Sequence, residues 1–114
     1  MPEISIQKQC LALTSLGDVE SFGEPIGDLP EQSNDTFFEE GKLAAGTWEC
    51  GPGKLQLNLD VTEFCHLLKG HWLLTSESGQ VTELRAGDSW VFPNGWKGTS
   101  EVVETVRKVY MIIS

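Results

Sequence analysis

The sequence predicts an all-β single domain, an antiparallel sandwich or barrel, and three observations lead there. From Gly46 onward short apolar stretches are cut by turn residues at Gly51-Pro52-Gly53, Asp60, Gly70, Ser78-Gly79, Ala86-Gly87, Pro93-Asn94-Gly95 and Gly98. No apolar pattern with a 3.6-residue period runs long enough to compete as a helix. A chain of 114 residues buries roughly two-thirds of the surface its unfolded form exposes, enough for one core without a covalent staple.

Residues 3–13 alternate weakly and read as an outer strand. From Gly17 to Glu40 the composition shifts to Gly, Pro, Asp, Glu, Ser and Asn, with Pro25 and Pro30, which reads as a long loop wrapped over the domain. The organisation expected is therefore an N-terminal strand and acidic loop over 1–43, packed on a barrel over 44–114. Within the barrel, strands are expected near 46–50, 54–59, 63–68, 71–76, 80–84, 88–92 and 101–113. The clearest hairpin joins His71–Ser76 to Gln80–Leu84 through Glu77-Ser78-Gly79, where Gly79 supplies the positive φ of the turn. Strand parity turns Glu63, Cys65 and Leu67 to one face and His66 to the other. In Leu55-Gln56-Leu57-Asn58-Leu59 the same parity sends the leucines to the core and the amides to water.

Eight Lys plus Arg against 17 Asp plus Glu give a net charge of −9, the wrong sign for nucleic acid or an anionic membrane surface. The start, Met1-Pro2-Glu3-Ile4-Ser5-Ile6, has no basic region followed by an apolar one, and no apolar run is long enough to span a bilayer, so a cytoplasmic location is expected. Cys10, Cys50 and Cys65 have no CxxC spacing and read as reduced thiols. Glu49 and Lys108 are expected to pair across the sheet as an exposed ion pair.

Four segments together carry a family resemblance: Gly46-Thr47-Trp48-Glu49-Cys50-Gly51-Pro52-Gly53-Lys54; Glu63 to Gly70; Ala86-Gly87-Asp88 with Phe92-Pro93-Asn94-Gly95; and Val106-Arg107-Lys108-Val109-Tyr110. The chain over about residues 44–113 resembles the cupin-domain family named after (S)-ureidoglycine aminohydrolase. The resemblance implies a cupin-type double-stranded β-helix, a jelly-roll barrel, commonly paired as a homodimer, with any site in the barrel mouth. Metal-dependent cupins hold their ion with three histidines and a glutamate. Laid on this chain, the glutamate falls on Glu63, the paired histidines on Gln56 and Asn58, and the last histidine on Gly98. Neutral amides and a glycine bind divalent transition metals far more weakly than imidazoles do. This alignment turns Gln56 and Asn58 inward, against the parity reading, and leaves the leucines to pack outward on a second subunit, which favours a homodimer.

The function expected is binding of a small polar metabolite in the barrel without the usual His-bound metal. Gln56, Asn58, Cys65, Trp90 and Phe92 are the candidate binding residues, with Glu63 as the candidate acid or base. Two alternatives stand beside it. One is an aminohydrolase- or isomerase-like enzyme using Glu63, with or without a divalent Mn, Ni or Zn ion recruited through Cys65 or His71. The other is a dimerisation or interaction module whose barrel is filled, the large rings of Trp48, Trp72 and Trp96 serving only as packing.

Overall fold

The computed structural model describes residues 2–114. The strands are β1 Glu24–Ile26, β2 Gln32–Glu40, β3 Leu43–Cys50, β4 Gly53–Asn58, β5 Thr62–Ser76, β6 Val81–Arg85, β7 Ser89–Phe92 and β8 Lys97–Ile113. All pairings between them are antiparallel. The long strands β5 and β8 run beside each other from Thr62↔Ile113 to Ser76↔Gly98, with irregular register between Leu67 and Trp72. Around Thr62–Lys69 and Arg107–Ile113 they carry β7 on one side and β3 then β2 on the other. Beyond the irregularity they carry β6 on one side and β4 then β1 on the other.

Gly70 lies at the irregularity between these halves, at φ 102°, and a Cβ there would run into the Thr105 carbonyl. Only glycine accepts both conditions at once. The sheet thus curls over on itself, and the two inner faces meet in one core. Trp48 and Cys50 of β3, Cys65 and Leu67 of β5, Phe92 of β7 and Val106 of β8 come from one half; Leu55, Leu57, Trp72, Leu74, Leu84 and Val102 come from the other. Trp48 stacks on Trp72 across the middle at 5.6 Å between ring centroids. The all-β expectation is met, in a single curled antiparallel sheet.

The β5–β6 hairpin turns at Gly79, φ 95°, as its sequence requires. The strands expected at 63–68 and 71–76 are one continuous β5, and the last strand begins earlier, at Lys97. Two other expectations need correction. Residues 3–13 form no strand; they hold one 3-10 turn at Cys10–Ala12, and Ile4 is 93 % exposed. Their carbonyls converge on a cation instead of a ladder, since Arg107 Nη1 donates to the oxygens of Cys10, Leu11 and Leu13 at 2.8, 3.1 and 2.9 Å. Residues 17–40 are not all loop, because β1 pairs with β4 and β2 pairs with β3 along most of its length. Strand β2 ends the sheet, and a polar edge such as Gln-Ser-Asn-Asp-Thr hides its strand character while guarding against aggregation.

Candidate functional site

The inner face where β3, β5, β7 and β8 meet holds a buried ion pair. Glu63 aligns with Phe92 on β7 and Ile112 on β8, and Lys108 aligns with Trp48 on β3 and Leu67 on β5. Parity therefore points Glu63 and Lys108 into the barrel, where they are 1 % and 2 % exposed. Lys108 Nζ donates a hydrogen bond to Glu63 Oε2. Cys65, two residues along the same face, donates its thiol hydrogen to the same Oε2 at 3.1 Å and lies 3.8 Å from Lys108 Nζ.

Burial works against the Lys108 charge, but the Glu63 carboxylate outweighs it and holds the ammonium above its usual pKa of 10.5. Burial pushes the Cys65 thiol well above its ordinary value despite the pull of Lys108, so it stays protonated and serves as a donor. Rings complete the surroundings. Lys108 Nζ lies 4.3 Å from the Phe22 ring centre, 4.7 Å from Trp48, 5.5 Å from Trp72, 5.6 Å from Phe92 and 5.8 Å from Tyr110. Ring faces attract a desolvated cation, so the cage and the carboxylate act together.

The second carboxylate oxygen, Glu63 Oε1, is buried and has no hydrogen-bond partner among the described residues. Glu63 belongs to the wall of an open cavity of about 130 Å³, shared with Phe22, Trp48, Tyr110 and Asn34 and with the exposed Val19 and Glu20 at the rim. Phe22 is set by its backbone N–H, which donates to Gln32 Oε1 at 2.8 Å, and by ring contacts to Trp48 and Phe92. Tyr110 donates to Asn34 Oδ1 at 2.7 Å, and Asn34 Nδ2 donates to Thr36 Oγ1 at 3.0 Å. The segment expected to be mere loop thus supplies one wall of the site.

Of the candidate residues, the fold brings Glu63, Cys65 and Phe92 together. Trp90 shares the inner face, edge-on to Trp72 and Phe92 at 5.5 and 6.0 Å, with its buried Nε1 unpartnered among the described residues. Gln56 and Asn58 are not there. Both are exposed, while Leu55, Leu57 and Leu59 of the same stretch fill the core, so the inward placement of the amides is corrected in favour of simple alternation. Gln56 donates instead to the Gly98 carbonyl at 3.0 Å. The leucines accordingly give no argument for a second subunit. The Glu49–Lys108 pairing is corrected as well: the two lie on opposite faces, and Glu49 pairs with Arg107 at 3.0 Å and Lys69 at 3.2 Å.

The residues do not fit a divalent metal. The positions matching the histidine pair point outward, and a Cβ at Gly98 would meet the Thr75 carbonyl, leaving no room for a larger side chain. His66 bonds Ser89 at 2.6 Å and His71 bonds Glu83 at 2.8 Å, so a set of Glu63, Cys65 and His71 is not assembled. No group of three or more His, Cys, Asp or Glu suited to a metal ion occurs among the described residues. The carboxylate that would anchor one is already in contact with an ammonium. Lys108, expected from the sequence in an exposed pair, is instead a buried member of this site. Its signal was a lone charge at the same parity as Val106 and Tyr110, facing Glu63 across β5 and β8.

A single antiparallel sheet curled around one core, with a buried ion pair on its inner face, has the architecture of a cupin barrel. The chain belongs to the EutQ-like cupin domain family, whose sequence model matches residues 38–110. It is similar in structure to a putative ethanolamine utilization protein Q from Salmonella typhimurium, at 21 % identity and TM-score 0.64 over 72 % of this chain and 68 % of that one. A DUF861-family protein of unknown function from Pseudomonas syringae matches at 24 % identity and TM-score 0.78, over 90 % of this chain and 45 % of its own. A DUF861-family protein from Thermotoga maritima shares 33 % identity over 56 % of this chain and 73 % of its own, with TM-score 0.55. No curated protein matches the sequence.

Proposed function

We propose that this barrel binds a small polar molecule, with the Glu63–Lys108 pair standing where related cupins use a metal. One observation carries the reading: Glu63, tied down through Oε2 and with Oε1 buried and without a partner among the described residues, lines an aromatic-sided cavity. An unsatisfied buried acceptor costs about 1–3 kcal/mol, which a ligand donor recovers. Lys108 and Cys65 hold the carboxylate in one orientation, so the acceptor is preorganised. A screen of soluble polar fragments by ligand-observed NMR tests the reading, with Val19→Trp at the exposed rim closing the cavity. Fragments that bind the native protein and not Val19→Trp support it; equal binding to both rules the cavity out.

An acid–base enzyme, of the aminohydrolase kind that the motifs resemble, is the second reading, and the same unpartnered Oε1 favours it as the atom that would take a proton. Turnover lost in Glu63→Gln while fragment affinity persists would select it. A homodimer is proposed on different grounds from the leucines. Val91, Phe64 and Met111 are direct cross-strand neighbours on the outer face of β7, β5 and β8, and all are exposed. An uncharged row is where copies of a chain with net charge −9 meet with least repulsion. Light scattering that reports a dimer for the native chain and a monomer for Phe64→Lys supports this; a native monomer refutes it.

A further inference from the structure

We infer that the occupant of the cavity is a small organic ammonium, held by Glu63 Oε1 within and Glu20 at the rim; the inference rests on the binding reading above. The hydrogen-bonding capacity left in the wall decides the polarity of the ligand. Lys108 commits N–H groups to Glu63 Oε2 and Cys65, Tyr110 commits its hydroxyl hydrogen to Asn34, and Asn34 commits an amide hydrogen to Thr36. The carboxylate oxygens of Glu63 Oε1 and Glu20 remain as acceptors. Both of these acceptors are carboxylate oxygens, whose strongest partners are ligand donors.

Charge takes the argument from donor to cation. Glu20, Glu63 and Lys108 are the Asp, Glu, Lys or Arg side chains of this wall, a formal charge of −1. The Lys108 charge is already neutralised by direct contact with Glu63, so an incoming ammonium meets a net negative site on a chain of net charge −9. A carboxylate or phosphate would meet that net negative charge instead, with Lys108 already paired to Glu63. Phe22, Trp48 and Tyr110 add ring surfaces of the kind that attract desolvated cations. Size closes the description. A cavity of about 150 Å³ holds benzene, so one of about 130 Å³ holds an alkylammonium of no more than about six heavy atoms.

The test titrates ¹⁵N-labelled native protein with n-propylammonium, 1-propanol and propionate at constant ionic strength, following the Trp48 indole N–H. Saturable shifts at least about tenfold tighter for n-propylammonium than for the other two are expected, the lower end of a charge-assisted hydrogen bond. Glu20→Gln lowers ammonium affinity about two- to fivefold, as for an exposed charge pair. The charge-neutral double variant Glu63→Gln/Lys108→Met, its fold checked by the dispersion of the same spectrum, loses the preference for ammonium. If propanol or propionate saturates the Trp48 signal as tightly, the ammonium class is overturned while the binding reading stands. If no probe moves Trp48, both fall. If the double variant does not fold, unchanged ammonium affinity in Glu20→Gln overturns the electrostatic argument by itself.

Discussion

Replacing Lys108 by Met keeps an unbranched chain of similar volume in the barrel and removes only the ammonium, so its cost measures what the charge does there. Glu63 would be left as a carboxylate 1 % exposed, with Cys65 as its one remaining side-chain donor. Breaking one side of a buried pair costs about 3–5 kcal/mol, a large part of the roughly 5–15 kcal/mol by which a domain is stable. Glu63→Gln strands the ammonium instead and costs a similar amount. The double variant Glu63→Gln/Lys108→Met leaves no uncompensated charge, and such replacements range from neutral to stabilising by about 1–4 kcal/mol. Two singles of about 4 kcal/mol each and a double near zero give a coupling of about 8 kcal/mol, an upper figure because unfolding equilibria lose precision in weak proteins. Urea unfolding followed by tryptophan fluorescence measures all four. The sign with pH follows from the raised Lys108 pKa: its stabilisation is complete below 10.5 and disappears as pH rises through the higher folded value. The native chain should therefore lose stability above about pH 10.5 by a component absent in Lys108→Met. Additive single costs, or a Lys108→Met penalty under about 1 kcal/mol, would refute the account of the pair as a mutually dependent unit.

Three shorter predictions concern the frame of the site. Gly70→Ala meets both an unfavourable φ and the Thr105 carbonyl and should cost more than about 2 kcal/mol, whereas Gly79→Ala, with a similar φ but open space, should cost about 1–2, both read from urea midpoints. Arg107→Ala should free the N-terminal segment, so limited proteolysis cuts between residues 5 and 15 at least several times faster while the barrel fragment persists. With burial pushing Cys50 up to about 12 and Cys65 further still, native protein should show one fast-reacting thiol, Cys10, and three after denaturation; fast modification of Cys65 would contradict its role as a protonated donor.

The barrel was legible because alternation and turn residues act locally, and they act strongly between Gly46 and Phe92. The parity of Glu63, Cys65 and Leu67 followed from the same rule. Gln56 and Asn58 were misplaced where a family alignment was allowed to override that rule, although Leu55, Leu57 and Leu59 already stated which face was buried. Strand β2 was illegible for a different reason: an edge strand needs only one partner, so Asn, Asp and Ser are tolerated and the apolar signal fades. Lys108 escaped because β8 has apolar residues at both parities, Val106 and Ile112 on one and Val109 and Met111 on the other. Only the register with Glu63 and Trp48 separates them. The fold-back of residues 17–24 over the mouth, which delivers Phe22, depends on tertiary contacts that leave no periodic trace.

The tethered ammonium also has a consequence for how such a site is kept in working order. An ion drawn from solution must be captured after folding, competes with other ions, and leaves when its concentration falls. Lys108 arrives with the chain, at fixed stoichiometry and with an effective concentration that no buffer changes. On the proposed reading, a barrel equipped in this way is complete when it folds, in any metal supply, and a histidine set introduced there would first have to evict a resident that cannot diffuse away.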